Sequence, residues 1–249
     1  MLPRLYSPEA LQNKTACELG ADNLRYLKTV LRLKPGDAIR VFDGFGHEFE
    51  AQIECFGPGN VKVRLEEPLP TLPKNIHITL AQAMPKAGKM DGIVKTAAEL
   101  ATDVIIPFTA ARSVGRVEKE KALFKATRWQ KIVREAARCS RSPLTALIEP
   151  VMSFAQMLDR ATPDMRKMIF WEEEDQVNIR QAINDAAFAD IRRFFIIVGP
   201  EGGLTREEID CALRAGFVSV SLGRQILKVE TAAAAILSIL QYEKGIFSQ

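Results

Sequence analysis

A glycine cluster, VGPEGG at residues 198–203, most limits what this 249-residue chain can fold into. The apolar run RRFFII precedes the cluster, and the helix-like stretch LTREEID follows it. Glycine permits positive φ and close approach of the backbone to a ligand, so we expect positive φ at Gly202. Open α/β sheets bind ligands at such strand-to-helix junctions. The cluster therefore predicts an α/β fold with a ligand loop.

The ligand of this loop is not predicted to be a phosphate. A P-loop needs GxxxxGK[ST], a dinucleotide fold needs GxGxxG, and the cluster has neither spacing. Glu201 lies inside the loop, and its carboxylate would repel a phosphate where water is excluded. The loop therefore suits a neutral or cationic ligand. For the cluster taken alone, a tight turn that binds nothing is the alternative.

A second segment, SVSLGRQILKVETAAAA at residues 219–235, repeats the order of strand, glycine loop and helix. We expect the two loops to open at the same edge of the sheet, at the ends of neighbouring strands. Leu222, Ile226 and Leu227 add apolar side chains that could clasp a flat, uncharged ring. Together the loops predict an adenine pocket without a phosphate clamp.

The chain changes character near residue 70. Before it, the segments DAIRVFDGFGHEFEAQIECF and GNVKVRLEE alternate apolar and polar residues, as half-buried strands do. Asp43-Gly44 fits a hairpin turn, and residues 21–37 predict a short helix ended by Pro35-Gly36. We therefore predict a small β-barrel over residues 1–72, with the proline-rich linker PLPTLPKN at its end.

Strand-like and helix-like runs alternate over residues 73–249. The strand-like runs are IHITLAQ, DVIIPF, KMIFWEE, RRFFIIVG and FVSVSLG. Strands alternating with helices predict a mostly parallel sheet covered on both faces. The last helix, VETAAAAILSILQYE, is apolar on nearly all sides, so it should be buried in the core or against another subunit.

Composition argues against several classes of protein. No apolar run reaches the about 18 residues of a membrane span, and the start, MLPRLYSPEALQ, lacks the apolar core of a signal peptide. The four cysteines lie far apart, which predicts free thiols in a reducing cytoplasm. His47 and His77 lie near no cysteine cluster, so no metal site is predicted. The net charge of +3 argues only weakly for an anionic partner.

Together, VGPEGGLTREEID and SLGRQILKVETA closely resemble motifs of the RsmE family, in the SPOUT class of RNA methyltransferases. The likeness extends through residues 82–113 and 128–142, and through VLRLKPGD and VFDG in the first domain. The resemblance implies a PUA-like β-barrel that binds RNA, joined to a SPOUT-type α/β domain with a deep C-terminal trefoil knot. It also implies a homodimer that uses S-adenosylmethionine to methylate N3 of a uridine in 16S ribosomal RNA, within the small ribosomal subunit.

The resemblance further implies which residues hold S-adenosylmethionine. The glycine loop forms one wall, the second loop forms another, and the WEEE segment supplies a third edge. The implied contacts are Glu172, Val198, Gly199, Pro200, Glu201, Gly202, Gly203, Ser221, Leu222, Gly223, Ile226 and Leu227. The chain departs from the usual LGxRILRxETA pattern, since Gln225 and Lys228 replace arginines and Arg224 lies one place earlier.

The proposed methylation requires in-line positioning of the methyl donor and removal of the uridine N3 proton. The imide is a weak acid, so a base, or a cation that stabilises the developing anion, would assist. The candidates are Glu201, Arg224, Lys228 and Glu230. Each has a structural alternative: Glu230 suits the first turn of a helix, and both cations could be solvated.

A cationic helix is predicted over residues 118–141, with an apolar stripe from Ala122 to Ala137 on one side. Its cations outnumber its acids, which favours RNA phosphates as partners, although a merely solvated face is the alternative. Arg116 could extend the face. The predicted RNA contacts in both domains are Arg25, Arg32, Arg112, Lys125, Arg128, Arg134, Arg138 and Arg141.

Two other functions remain open from the sequence. A nucleotide- or NAD(P)-dependent enzyme on a doubly wound fold is disfavoured by the missing phosphate fingerprint. A non-catalytic RNA-binding protein that kept the fold is the stronger alternative.

Overall fold

The computed structural model describes residues 2–70, 73–86, 88–113 and 119–248. The chain forms two compact units. The amino-terminal unit contains residues 1–73 together with 134–145, and the carboxy-terminal unit contains 74–133 and 146–249.

The amino-terminal unit is built on a five-stranded sheet with strand order β1-β3-β4-β5-β2. Its strands are β1 (Arg4–Tyr6), β2 (Ala16–Leu19), β3 (Ala38–Phe42), β4 (Glu48–Phe56) and β5 (Val61–Pro68). The predicted alternation is clearest in β5, where Val61, Val63 and Leu65 are buried and the residues between them are exposed. These side chains join one apolar core on the inner side of a sheet that curls into a half-barrel.

Of two local predictions for this unit, that of the helix end is wrong and that of the hairpin is confirmed. The helix predicted to run to Pro35-Gly36 consists of α1 (Ala21–Arg25) and a π-helical turn (Tyr26–Val30), and Arg32 then takes a φ of 56°. A residue in the left-handed region cannot continue a right-handed helix, so the helical segment ends before Arg32 and does not reach Pro35. The hairpin turn predicted at Asp43-Gly44 is confirmed, since β3 and β4 are antiparallel neighbours, but their connection spans the five residues 43–47. The Asp43 side chain is fully buried beneath that loop.

The carboxy-terminal unit contains a seven-stranded sheet, as the alternation of strands and helices predicts. Its strands are β6 (His77–Ala83), β7 (Val104–Thr109), β8 (Leu147–Ile148), β9 (Met152–Ser153), β10 (Arg166–Phe170), β11 (Arg193–Val198) and β12 (Val218–Val220). The order is β12-β10-β11-β6-β7-β8, with β9 also paired to β7, and every pairing is parallel. Both β6 and β11 are almost entirely buried, as a central strand covered on both faces must be.

Helices connect these strands. They are α2 (Lys89–Glu99), α3 (Lys119–Ser140), α4 (Phe154–Leu158), α5 (Ile179–Ile183), α6 (Arg206–Arg214) and α7 (Val229–Glu243). The predicted apolar stripe of α3 is confirmed, since Ala122, Ala126, Trp129, Val133 and Ala136 are all buried. Helix α7 buries one face, including Ile236, Leu237 and Leu240, but its Tyr242 side chain is 68% exposed.

Candidate functional site

The two glycine loops open at the same edge of the sheet, as predicted, but their strands are not neighbours. Strand β10 lies between β11 and β12, and all three run parallel. The segments that follow the three strands therefore meet at one edge. The consequence is that the WEEE segment, which follows β10, lies between the two glycine loops, as its implied role as an edge of the pocket requires.

The glycine loop is a tight turn in which Gly203 N–H donates to the Pro200 carbonyl at 3.0 Å. Gly203 carries the positive φ, 72°, whereas Gly202 does not, so the expectation for Gly202 is wrong. A Cβ added at Gly203 would overlap the Glu172 carboxylate. Glycine is therefore favoured at residue 203 by its conformation, whereas the exposed Glu172 carboxylate could move away from an added Cβ.

Helix α6 begins directly after this loop with a capping box. The Thr205 hydroxyl accepts from Glu208 N–H at 3.3 Å, and the Glu208 carboxylate accepts from Thr205 N–H at 3.0 Å. The same carboxylate also accepts from Ala111 N–H at 2.8 Å. The capping box fixes where the helix starts and thereby anchors the carboxyl end of the glycine loop.

The second loop is held to the WEEE segment through backbone hydrogen bonds. Trp171 N–H donates to the Val220 carbonyl at 3.2 Å, and Ser221 N–H donates to the Val177 carbonyl at 2.8 Å. Beyond Ser221, residues 223–226 are exposed, and the Ile226 side chain is 86% exposed. An apolar side chain so exposed beside a ligand loop is a surface that a bound molecule or a second subunit can cover.

Two of the predicted site carboxylates share one ammonium group. Lys89, the first residue of α2, places its Nζ 3.1 Å from Oε1 of Glu201 and 3.2 Å from Oε2 of Glu230. The Glu201 carboxylate also accepts from Lys86 N–H at 3.1 Å. This bridge joins the β6–α2 connection, the glycine loop and the first turn of α7.

The bridge keeps both carboxyl groups ionised. Burial alone would raise the pKa of Glu201, but hydrogen bonds from its own amide, Lys89 and Lys86 outweigh burial and lower it. The amide of Glu230 and the Lys89 ammonium lower the pKa of Glu230. In return, hydrogen bonds to Glu201 and Glu230 raise the pKa of Lys89. Carboxylates with lowered pKa values are weak bases, so this pair is better suited to fixing positive charge than to taking a proton.

The two predicted cations of the second loop are differently placed. The side chains of Arg224 and Lys228 are exposed and make no ion pair or hydrogen bond with another residue that the structure describes. A ligand can therefore reach both the guanidinium and the ammonium group, although the Lys228 ammonium also contributes to lowering the pKa of Glu230.

Lys86, Lys89 and Arg112 are residues of this site that the sequence patterns did not predict. Arg112 was predicted to contact RNA, but its Nη1 donates to the Gly202 carbonyl at 3.0 Å. A signal for Lys86 and Lys89 existed, because the connection after a parallel strand ends at the ligand edge of the sheet. The sequence does not show, however, that β6 lies next to β11, and this adjacency brings Lys86 and Lys89 to the glycine loop.

The remaining predicted RNA contacts divide between the two units. Lys125 and Arg128 belong to the carboxy-terminal unit, where Arg128 pairs with Asp91. In the amino-terminal unit, Arg138 pairs with Glu135, and Arg134 lies over the Tyr6 ring at 4.7 Å. The other predicted contacts of that unit are Arg25, Arg32 and Arg141, which are exposed. Arg116 lies outside the described residues.

Neither a metal centre nor a membrane span is found in the described part of the chain. No group of three or more His, Cys, Asp or Glu side chains there could hold a metal ion. None of the helices there is both long and apolar enough to cross a membrane.

Comparison with known proteins gives consistent matches. The RNA methyltransferase domain family matches residues 72–241, and the RNA methyltransferase PUA domain family matches residues 19–66. Ribosomal RNA small subunit methyltransferase E of Rickettsia conorii is 33% identical, over 94% of this chain and 93% of that protein. The protein of the same name from Bacillus subtilis is 28% identical over 94% and 93%.

Solved structures match over nearly the full length. Ribosomal RNA small subunit methyltransferase E from Neisseria gonorrhoeae, bound to S-adenosylmethionine, superposes with a TM-score of 0.85 at 28% identity, covering 98% of this chain and 99% of that one. A putative methyltransferase from Legionella pneumophila, also with bound S-adenosylmethionine, gives 0.86 at 28% identity, covering 99% of both chains.

Proposed function

Because the chain belongs to the ribosomal RNA small subunit methyltransferase E family, we propose that it transfers a methyl group from S-adenosylmethionine to N3 of a uridine in 16S ribosomal RNA. The observation that carries this proposal is the convergence of both glycine loops and the WEEE segment at one sheet edge, in a fold matched by two S-adenosylmethionine complexes.

The residues at this edge fit S-adenosylmethionine. Residue 203 has a φ of 72° and no side chain, so a ligand ring can approach the loop backbone closely there. Exposed Ile226 and the partly buried Leu222 and Leu227 offer apolar cover. When bound, the cofactor supplies an electrophilic methyl group on a sulfonium, and the ionised Glu201 and Glu230 suit its positive charge. The pocket also includes the backbone of Val198, Gly199, Pro200, Gly202, Ser221 and Gly223.

The protein must also handle the uridine N3 proton. N3 loses this proton to a base or to water, and that loss places negative charge on the imide. The charge is consumed as N3 bonds to the methyl carbon, while the carbon–sulfur bond breaks and its electron pair goes to sulfur. Glu201 and Glu230 are poor proton acceptors because their pKa values are lowered. We therefore assign charge stabilisation to the exposed Arg224 and Lys228. Arg224 forms no ion pair or hydrogen bond with another described residue, whereas Lys228 also interacts with the Glu230 carboxylate and lowers its pKa.

The proposed partners are the small ribosomal subunit and a second copy of this chain. Tyr242, Ile246 and Phe247 leave an exposed apolar surface at the end of the chain, next to the partly exposed side of α7. Such a surface suits a homodimer in which α7 is covered. Light scattering should then give about twice the chain mass of 27.7 kDa. The trefoil knot stays a prediction, and a ribosomal RNA substrate leads us to expect that the protein acts in the cytoplasm.

The decisive test is mass spectrometry of 16S ribosomal RNA from cells with and without this protein. We expect one 3-methyluridine to disappear in its absence and to return with the wild-type chain. Purified protein, labelled S-adenosylmethionine and undermethylated small subunits or naked 16S RNA then identify the substrate. An unchanged nucleoside profile, with RNA binding retained, would instead support the non-catalytic RNA-binding alternative.

A further inference from the structure

An aromatic side chain is held in solvent at the tip of the loop between β3 and β4. The Phe45 side chain is 65% exposed, and it lies between two glycines with φ values of 81° (Gly44) and 105° (Gly46). Among the described residues of the amino-terminal unit, only Val30 is another large apolar residue exposed to this degree. An exposed ring contributes little to the stability of the fold, because apolar side chains stabilise a protein when they are buried.

The loop is fixed from below by Asp43, whose side chain is fully buried. Its carboxylate accepts from Phe45 N–H at 2.8 Å, from Leu11 N–H at 3.0 Å and from His47 N–H at 3.2 Å. His47 Nδ1 lies 2.8 Å from the same carboxylate. A buried charge that accepts this many hydrogen bonds holds the loop in one conformation, so the Phe45 ring cannot fold back to bury itself without breaking them.

A second set of contacts holds the loop from the side. Thr145 N–H donates to the Gly44 carbonyl at 3.0 Å, and Gly46 N–H donates to the Pro143 carbonyl at 3.2 Å. A Cβ at Gly44 would lie 3.2 Å from the Tyr6 ring, so the loop backbone packs directly on that ring. The Phe45 side chain is therefore presented by a rigid support.

Arginines of residues 134–141 belong to the same unit as the loop. Arg134 lies 4.7 Å above the Tyr6 ring, on which the loop backbone packs. Arg138 lies 5.5 Å from the centre of the Tyr26 ring and pairs with Glu135. Arg141 directly precedes the segment 142–145 that pairs with the loop. One exposed ring near guanidinium groups differs from a protein-binding patch, which would need a larger contiguous apolar area. Single-stranded RNA offers both matching features: a flat base to stack on the ring and phosphates for the arginines.

We infer that Phe45 is a stacking platform for an unpaired base of the RNA substrate, with Arg134, Arg138 and Arg141 of the same unit as phosphate contacts. The inference rests on the proposed function, because it takes ribosomal RNA as the partner. A rigid ring loses little conformational freedom when a base stacks on it, which favours binding over a flexible side chain.

The test compares Phe45→Ala, Phe45→Trp and the control Val30→Ala in binding to naked 16S ribosomal RNA over a range of salt concentrations. We expect Phe45→Ala to weaken binding about 5- to 100-fold, as removal of the stacking surface for one base does. The slope of log affinity against log salt should stay that of the wild type, because every phosphate keeps its cationic partner. Phe45→Trp should restore affinity, and Val30→Ala should bind normally.

Wild-type affinity for Phe45→Ala, or failure of Phe45→Trp to restore binding, would overturn the inference. Affinity for S-adenosylmethionine, measured by calorimetry on the same samples, should be unchanged in every variant. The proposed function is tested separately by methyl transfer with the wild-type chain. If RNA affinity falls in Phe45→Ala while the wild type transfers no methyl group, the stacking inference holds and the proposed function fails.

Discussion

The ammonium of Lys89 lies 3.1 Å from the carboxylate of Glu201, and it joins the start of α2 to the glycine loop. A second ion pair from the same ammonium reaches Glu230 at 3.2 Å. Without Lys89, the two carboxylates would lose the cation that they share, and their mutual repulsion would move the glycine loop or the start of α7. The lysine is therefore a positioning residue for the proposed cofactor pocket.

Replacement of Lys89 by Met should weaken S-adenosylmethionine binding about tenfold, equivalent to about 1.4 kcal/mol. Calorimetry measures this directly. Lys95→Met is the matched control, because Lys95 lies on the same helix and is exposed, with its nearest carboxylate, that of Glu99, at 3.9 Å. Lys89→Arg should recover part of the affinity by keeping the charge. Equal affinity in Lys89→Met and Lys95→Met would contradict the positioning role.

Gly203→Ala should destabilise the protein more than Gly202→Ala. Alanine at residue 203 must adopt a φ near 72°, which costs about 1–2 kcal/mol, and its Cβ would overlap the Glu172 carboxylate. At residue 202, a Cβ would lie 3.2 Å from the Arg112 Cβ without a positive φ. Chemical denaturation of both variants gives the difference.

The two causes at Gly203 can be separated by a double variant. Combining Gly203→Ala with Glu172→Ala removes the overlap but leaves the backbone strain. We expect Gly203→Ala to reduce the free energy of unfolding less in the Glu172→Ala background than in the wild-type chain, because the overlap is already absent there. Full additivity of the two substitutions would show that the overlap has no energetic effect.

Asp43 makes stability of the amino-terminal unit depend on pH. Burial alone would raise the pKa of Asp43, but hydrogen bonds from Leu11, Phe45 and His47 outweigh it and lower the pKa below its ordinary value of 3.8. The ionised form therefore stabilises the fold above about pH 4, and this contribution disappears as pH falls through the lowered pKa.

Asp43→Asn should reduce the free energy of unfolding by about 1–3 kcal/mol at pH 7, since some buried donors lose their acceptor. The difference between the variant and the wild type should shrink as the pH falls below about 4. Denaturant unfolding followed at several pH values checks both statements. A difference that is the same at pH 3 and pH 7 would exclude ionised Asp43 as its source.

The sequence predicted the parts of this protein that depend on periodicity. Alternation identified β5, a helical stripe identified the buried face of α3, and the glycine clusters identified the ligand edge. It did not predict which strands are adjacent, because β10 enters between β11 and β12 through a crossover that no local pattern encodes. Lys89 was missed for the same reason, since its partners belong to segments that meet only in the folded sheet.

Asp43 shows a different limit of sequence reasoning. An aspartate before a glycine is typical of an exposed hairpin turn, and nothing local distinguishes that case from a buried acceptor beneath a five-residue loop. The difference depends on donors from distant residues, such as Leu11 N–H. A short polar side chain can satisfy either its own turn or another segment, and only tertiary contacts decide between them.

RNA docking and methyl transfer should be separable by substitution. Replacing Lys125, Arg128 and Arg138 together with Gln should weaken RNA binding and lower the slope of log affinity against log salt by about 0.7–0.9 for each phosphate that is no longer neutralised. The slope should fall by less than the value expected for three lost phosphate contacts, because Arg128 and Arg138 also pair with Asp91 and Glu135. Arg160→Gln serves as the control, since Arg160 is exposed, pairs with Glu149 at 3.5 Å and is not a predicted RNA contact.

Arg224→Ala should have the opposite effect to the triple variant. Its guanidinium has no partner among the described residues, so its removal should leave stability and the salt slope nearly unchanged while lowering turnover at saturating RNA. Single-turnover methyl transfer and salt titration on each variant provide the two readouts. If the triple variant binds RNA with wild-type affinity and slope, these three cations do not contact RNA phosphates, and docking must rely on other residues. If Arg224→Ala lowers RNA affinity but not turnover at saturation, Arg224 binds phosphate and does not stabilise charge on the imide.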